Sequence, residues 1–296
     1  MTLAQLIERT AARFAAAPLC YGHGTDNPRD EAAWLVLRGL GLPFGTDLSR
    51  AAGRADAARI DGLAARRIDE RMPLAYLLRE AWLAGQPFYV DQRVIVPRSH
   101  IAELLREPLL VRRKVRRVLD LCTGSGCLAI LAARAFPAAR VDALDLSPGA
   151  LAVARKNVAR YRLGRRLHLR RSDLFATLGA ARYDLILANP PYVSAPAMAT
   201  LPAEYRHEPR LALAGGGDGL ALVARILAAA AAHLERDGLL VCEVGDGQGA
   251  VRRRFRTLGL EWPKPQVFSA ARGVLASGAS TAVSARMPAS RSRAKR

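Results

Sequence analysis

The chain has 296 residues, 51% of them hydrophobic and 24% charged, enough for a large α/β domain and a smaller one with buried cores. Its longest apolar run, residues 221–234, is broken by Arg225 and His233, and the N-terminus lacks the order of a signal peptide, so no membrane span is expected and a cytoplasmic protein is. A net charge of +19 points to nucleic acid, a nucleic-acid-rich particle or an acidic surface as a partner, although arginine is spread along the whole chain.

Residues 1–85 read as a small helical domain, expected to recognise the substrate. Leu3, Leu6, Ile7 and Phe14 share one helical face, and residues 31–40 form a second helix with Asp30 as its expected N-cap. Trp34 and Trp82 are expected in the core. Residues 86–97, with Phe88, Val90, Val94 and Val96 alternating, read as a β-hairpin linker. From residue 98 to 275 the rhythm is that of an α/β domain. Strands are predicted over 117–122, 140–146, 167–172, 183–188 and 238–244, with helices over 127–136, 148–161 and 220–234. That alternation implies a mainly parallel, Rossmann-like sheet with ligands at the carboxyl ends of its strands. Residues 204–220 read as a long loop suited to close over a substrate as a lid. The sheet's last edge is expected to be missing, rearranged or frayed, and residues 276–296, which contain no acid, read as a basic disordered tail. Cys20, Cys122, Cys127 and Cys242 have neither metal-finger nor redox spacing and read as small buried hydrophobes; no metal site is expected.

Acidic residues punctuate the ends of three successive strands. Asp120 precedes the turn Gly124-Ser125-Gly126, Asp145 closes the second strand, and Asp173-Leu174 follows the third. Glycines in the turn would let backbone approach a ligand. The turn also satisfies Gly-x-Gly-x-x-Ala, ending at Ala129, so a dinucleotide is the alternative. Asp120, however, would repel a pyrophosphate and attract an ammonium. Amino acid at Asp120, ribose at Asp145 and adenine at Asp173-Leu174 fit S-adenosyl-L-methionine in order.

Asn189-Pro190-Pro191-Tyr192 ends the fourth strand. A planar nitrogen is a poor nucleophile because its lone pair is delocalised. The Asn189 side-chain oxygen and the Pro190 carbonyl could clamp its two N–H bonds, with Tyr192 as a stacking wall. In-line positioning against an activated methyl group would then supply most of the catalysis, with no general base before transfer.

This motif after a class I cofactor fold resembles the amino-methyltransferases, which modify adenine, cytosine or glutamine. Residues 21–27, 80–85, 88–90, 96–99, 102–105, 120–127 and 204–213 narrow the likeness to the ribosomal-protein glutamine methyltransferases (the PrmB type) of the HemK/PrmC-like protein N5-glutamine methyltransferase family. The similarity runs from about residue 3 to residue 255. The release-factor branch usually has Pro-Arg-Pro-Glu-Thr-Glu where Pro97-Arg-Ser-His-Ile-Ala stands here. Departures from the family are His100 in place of proline and Leu78-Arg79 in place of Thr-Gly. The resemblance implies methyl transfer to a glutamine in the third protein of the large (50S) ribosomal subunit, free or in assembly intermediates. It makes Asn189, Pro190, Pro191 and Tyr192 the acceptor clamp and Gly124, Gly126, Asp145 and Asp173 cofactor contacts. Alternatives are a release factor as acceptor, adenine N6 in DNA or RNA, and a non-catalytic ribosome-assembly factor.

Overall fold

The computed structural model describes residues 1–282. Helix α1 (Leu3–Ala15) begins with a reciprocal capping box: Thr2 Oγ1 accepts from the Gln5 N–H at 3.2 Å, and Gln5 Oε1 accepts from the Thr2 N–H at 2.9 Å. Leu3, Leu6, Ile7 and Phe14 are buried together, as their spacing predicts. Helix α2 (Pro28–Gly39) starts about a turn earlier than expected. Asn27, not Asp30, is its cap, accepting from the Asp30 N–H at 2.9 Å. Pro28 takes the first helical position, where its missing N–H is no loss. With α3 (Arg54–Asp69) and α4 (Leu74–Leu78) these helices enclose Phe14, Leu35, Ile60 and Leu74. Trp34 is buried in that core; Trp82 is only half-buried, a departure from expectation.

The hairpin lies earlier than the predicted 86–97. Strands β1 (Ala81–Leu83) and β2 (Gln86–Phe88) pair antiparallel around Ala84 and Gly85, whose φ of 51° and 72° match the twist a two-residue connection needs. Val90, Val94 and Val96 are buried against Ala150 and Val153, but residues 89–97 pair with no strand. Side chains satisfy this backbone instead. Asn157 bonds the Tyr89 N–H at 2.7 Å and its carbonyl at 3.0 Å, and the Tyr76 hydroxyl donates to the Val94 carbonyl at 2.6 Å. Alternation here records burial, not a ladder.

Short helices α5 (Ile101–Leu104) and α6 (Pro108–Val111) lead into β3 (Arg117–Leu121), α7 (Cys127–Ala135), β4 (Arg140–Asp145), α8 (Pro148–Arg160), β5 (Leu167–Arg171) and β6 (Tyr183–Ala188). Helix α9 (Ala195–Thr200), a 3-10 turn over Ala203–His207 and α10 (Arg210–Leu213) follow, so the stretch expected as an open loop is partly helical. Then come α11 (Ala221–Ala230), β7 (Leu234–Glu243), α12 (Gln248–Arg254), β8 (Glu261–Lys264), β9 (Val267–Ala271) and α13 (Arg272–Ala282). Seven strands form one sheet in the order β5-β4-β3-β6-β7-β9-β8; β3 to β7 run parallel, and the last two pairings are antiparallel. Strand order reverses between β3 and β6, which opens a crevice at their carboxyl ends. Helices α7 and α8 cover one face of the sheet and α11, α12 and α13 the other.

The final sheet edge is present rather than missing. Val267 and Phe268 on β9 are fully buried, one toward each face, and Pro263 is tolerated because β8 is an edge strand. Helix α13 runs to Ala282, so the tail expected from residue 276 begins inside a helix; the rest of that stretch lies outside the described residues. Among the described residues no helix is long and apolar enough to cross a membrane.

Candidate active site

Beyond β3 the chain turns through Cys122, Gly124 and Gly126, all with positive φ of 57°, 55° and 79°. Gly124 faces open space, and its N–H donates to Asp145 Oδ2 at 2.9 Å. Gly126 serves another purpose: a Cβ there would lie 3.2 Å from that of Ala154, so this glycine lets α8 close onto the turn. Asp120 is wholly buried beneath the turn. Its Oδ2 accepts from the Thr123 hydroxyl and, at 3.1 Å, from the Ala129 N–H, whereas Oδ1 is buried without a partner among the described residues. Burial pushes this carboxyl up to about 7, the two hydrogen bonds opposing and the Asp145 charge adding to the rise. A buried carboxylate oxygen without a donor is costly, and a cation brought to it would relieve that cost.

At the carboxyl ends of β3 to β6 lies a mostly apolar cavity of about 780 Å³, mouth included. Cys122, Gly124, Asp145, Asp173, Leu174, Asn189 and Pro191 line it, whereas Asp120, Gly126, Pro190 and Tyr192 do not. Asp145 Oδ1 accepts from the Ser147 N–H at 2.8 Å; each carboxylate oxygen keeps a second lone pair, so the group can still receive a diol. Burial raises the Asp145 pKa, offset in part by these backbone bonds. Asp173 pairs with Arg225 at 2.9 Å on the exposed rim. Leu174, at φ 49°, is held by its carbonyl accepting from the Ser172 hydroxyl at 2.8 Å, which presents an apolar wall. Sequence reasoning missed Val94, Ile95 and Leu211 as lining residues. Only tertiary packing carries them to the crevice.

At the end of β6, Asn189 Nδ2 donates to the Arg98 carbonyl at 3.4 Å. A carbonyl only accepts, so this contact fixes which way the amide points and leaves Oδ1 as an acceptor. Neither Asn189 Oδ1 nor the Pro190 carbonyl accepts a hydrogen bond from any described residue. Tyr192 is braced by glycines that sequence reasoning left unassigned. A Cβ on Gly245 would lie 2.5 Å from Tyr192 Cε2, one on Gly219 would lie 2.4 Å from the Tyr192 carbonyl oxygen, and one on Gly215 would lie 2.7 Å from its Cα. Burial, with the Glu243 charge adding, pushes the Tyr192 hydroxyl up to about 12, so it stays protonated.

Residues 204–208, the start of the stretch read as a lid, are anchored. Glu208 is buried and binds both Arg98 guanidinium nitrogens, at 2.7 and 2.6 Å, as well as the Val96 N–H at 2.9 Å. Thus the Glu208 carboxylate helps hold the backbone that orients Asn189. Glu204, fully buried, receives Arg67 at 3.1 Å, Arg71 at 2.8 Å and the Cys20 N–H at 2.9 Å. Burial alone would raise its carboxyl, but these donors bring it down to about 2. Arg67 also pairs with buried Glu31, so one network ties α2 and α3 to the segment after the clamp.

Residues 101–218 match the family model described as a methyltransferase small domain. A ribosomal protein uL3 glutamine methyltransferase of Bordetella pertussis is 54% identical over 268 residues, spanning 88% of this chain and 90% of that protein. The proteins of the same description from Burkholderia pseudomallei and Bradyrhizobium diazoefficiens are 51% and 49% identical, again over 88% of this chain and over 90% and 86% of their own lengths. On identity and coverage of this extent the chain belongs to the ribosomal protein uL3 glutamine methyltransferase family.

Proposed function

We propose that this chain transfers a methyl group from S-adenosyl-L-methionine to the side-chain amide nitrogen (N5) of a glutamine in uL3, the third protein of the large ribosomal subunit. The observation that carries the reading is the pair of free acceptors at Asn189 and Pro190, one of them oriented by the Arg98 carbonyl, beside a cavity rimmed by acids. The donor set suits the methyl donor. Asp145 accepts from the ribose hydroxyls and Asp173 and Leu174 hold the adenine, while Asp120, buried beneath the glycine turn and outside the cavity lining, favours the ammonium of the amino-acid end through the charge of its unpartnered Oδ1. When bound, this donor supplies a methyl group already activated on a sulfonium. Asn189 Oδ1 and the Pro190 carbonyl accept the two N–H bonds of the glutamine amide, which fixes the nitrogen, and Tyr192 bounds its plane. Positioning of this kind accounts for several kcal/mol of a barrier, commonly about 7–11 kcal/mol when geometry is right. After transfer the nitrogen loses its surplus proton without a dedicated base.

The helices of residues 1–85 recognise the protein substrate, in the cytoplasm, on uL3 that is free or in assembly intermediates, and the basic surface favours particles bearing rRNA. Labelled S-adenosylmethionine offered with uL3, release factors and DNA in parallel tests the assignment by mass spectrometry. Label on a uL3 glutamine is the expected result; label on a release factor or on adenine would overturn the acceptor.

A further inference from the structure

A second, wider groove lies on the helical layer, away from the cofactor cavity. Trp34, Phe44 and Trp82 line it, with Asp26 and Asp30 on its lip and Arg98 at its inner end. Phe44 remains 48% exposed although its ring meets Trp82 edge-on at 5.1 Å between centroids. Trp34 is 5% exposed, and its indole N–H has no acceptor among the described residues. Asp26 and Asp30 are exposed, accept only from the Asn27 amide, at 2.7 and 2.8 Å, and have no cationic partner among the described residues. In a chain of net charge +19, two uncompensated acids beside three aromatic rings make a local site of the opposite sign. Arg98 at the inner end is neutralised by Glu208, and its carbonyl holds Asn189. Arg98 thus belongs both to the groove and to the contact that orients Asn189.

We infer that this groove binds a cationic stretch of the polypeptide substrate, close in sequence to the glutamine that is methylated, an inference that rests on the reading under Proposed function. Lysine and arginine stems lie on aromatic faces while their charges meet carboxylates. A phosphate backbone would be repelled by the same carboxylates. Two fluorophore-labelled peptides of equal length, one with Lys and Arg flanking a glutamine and one with Glu in their place, test it by polarisation on the full-length protein. The basic peptide should bind and the acidic one should not. Reversing the lip with Asp26→Lys and Asp30→Lys, or truncating Phe44→Ala, should weaken the basic peptide about tenfold and raise KM for the protein substrate, with S-adenosylmethionine affinity and the melting temperature retained. Equal binding of both peptides, or binding that both variants leave unchanged, overturns the inference. So does a single-stranded RNA, rather than the peptide, losing affinity in Phe44→Ala. Peptide binding needs no turnover: charge-selective binding that the variants abolish, with no label on uL3, would leave the groove standing and place the fault in the acceptor assignment.

Discussion

Asn189 is oriented by a contact 91 residues away in sequence, the Arg98 carbonyl that accepts from its Nδ2. Replacing it in Asn189→Ala should lower kcat by about a hundredfold to a thousandfold, the range for losing one oriented polar group at a reacting centre, while S-adenosylmethionine affinity by calorimetry falls far less. Comparable loss of both would sink the clamp assignment. Asp120 makes a prediction about pH. Its folded pKa of about 7 lies above the roughly 3.9 of an unfolded aspartate, so its contribution to stability in the ligand-free protein is full below about pH 4 and is lost as pH rises through 7. Asp145, also raised, acts with the same sign. In Asp120→Asn, urea denaturation should show a shallower fall in stability between pH 5 and 8 than in the parent. Binding of a ligand with an ammonium should strengthen in the parent as pH climbs to about 7 and lose that dependence in the variant. An unaltered profile would mean that Asp120 does not meet the ammonium.

At the scale of elements, the acids after β3, β4 and β5 were legible because a short apolar run followed by a turn marks where a parallel strand ends, and ligands gather there. The hairpin was not. Residues 89–97 alternate like a strand, yet Asn157, Tyr76 and Glu208 bind their backbone in place of a neighbouring strand. The glycines at 215, 219 and 245 carried no readable signal of their closeness to the Tyr192 backbone or ring, although Gly219 and Gly245 also take positive φ, of 79° and 51°. Gly245→Ala, by pushing the Tyr192 ring aside, should cost about tenfold to a hundredfold in kcat, the penalty of a displacement near 1 Å, with S-adenosylmethionine affinity nearly unchanged. A variant with the parent's kcat would show that Tyr192 is not needed where it stands.

Across the whole molecule, Glu31, Arg67, Glu204 and Arg71 bind the helical layer to the segment following the clamp. Arg67 is 2% exposed, so Arg67→Ala would leave buried Glu31 without its cation and buried Glu204 with Arg71 alone. Loss of one partner from such a network costs about 3–5 kcal/mol, which urea unfolding should register as a large drop in midpoint. Replacing Glu31, Arg67 and Glu204 together by apolar residues of similar volume should recover much of that loss. If the single variant unfolds like the parent, the network is not what joins the two parts.

Read by itself, the sequence determined the class of fold, the alternation of strand and helix from residue 117 to 188, the acids at the strand ends and the Asn189–Tyr192 motif that closes the fourth strand. All of these are written locally, as periodicity, as a run that stops, or as a motif next to the strand that carries it. Tertiary structure alone decided that Gly126 serves α8 while Gly124 faces the cavity, that Glu208 anchors Arg98, and that β9 and β8 complete the sheet. It also decided which way the Asn189 amide points. Each of these depends on a partner tens of residues or more away, and a charge or a glycine does not announce in sequence which remote group it will meet.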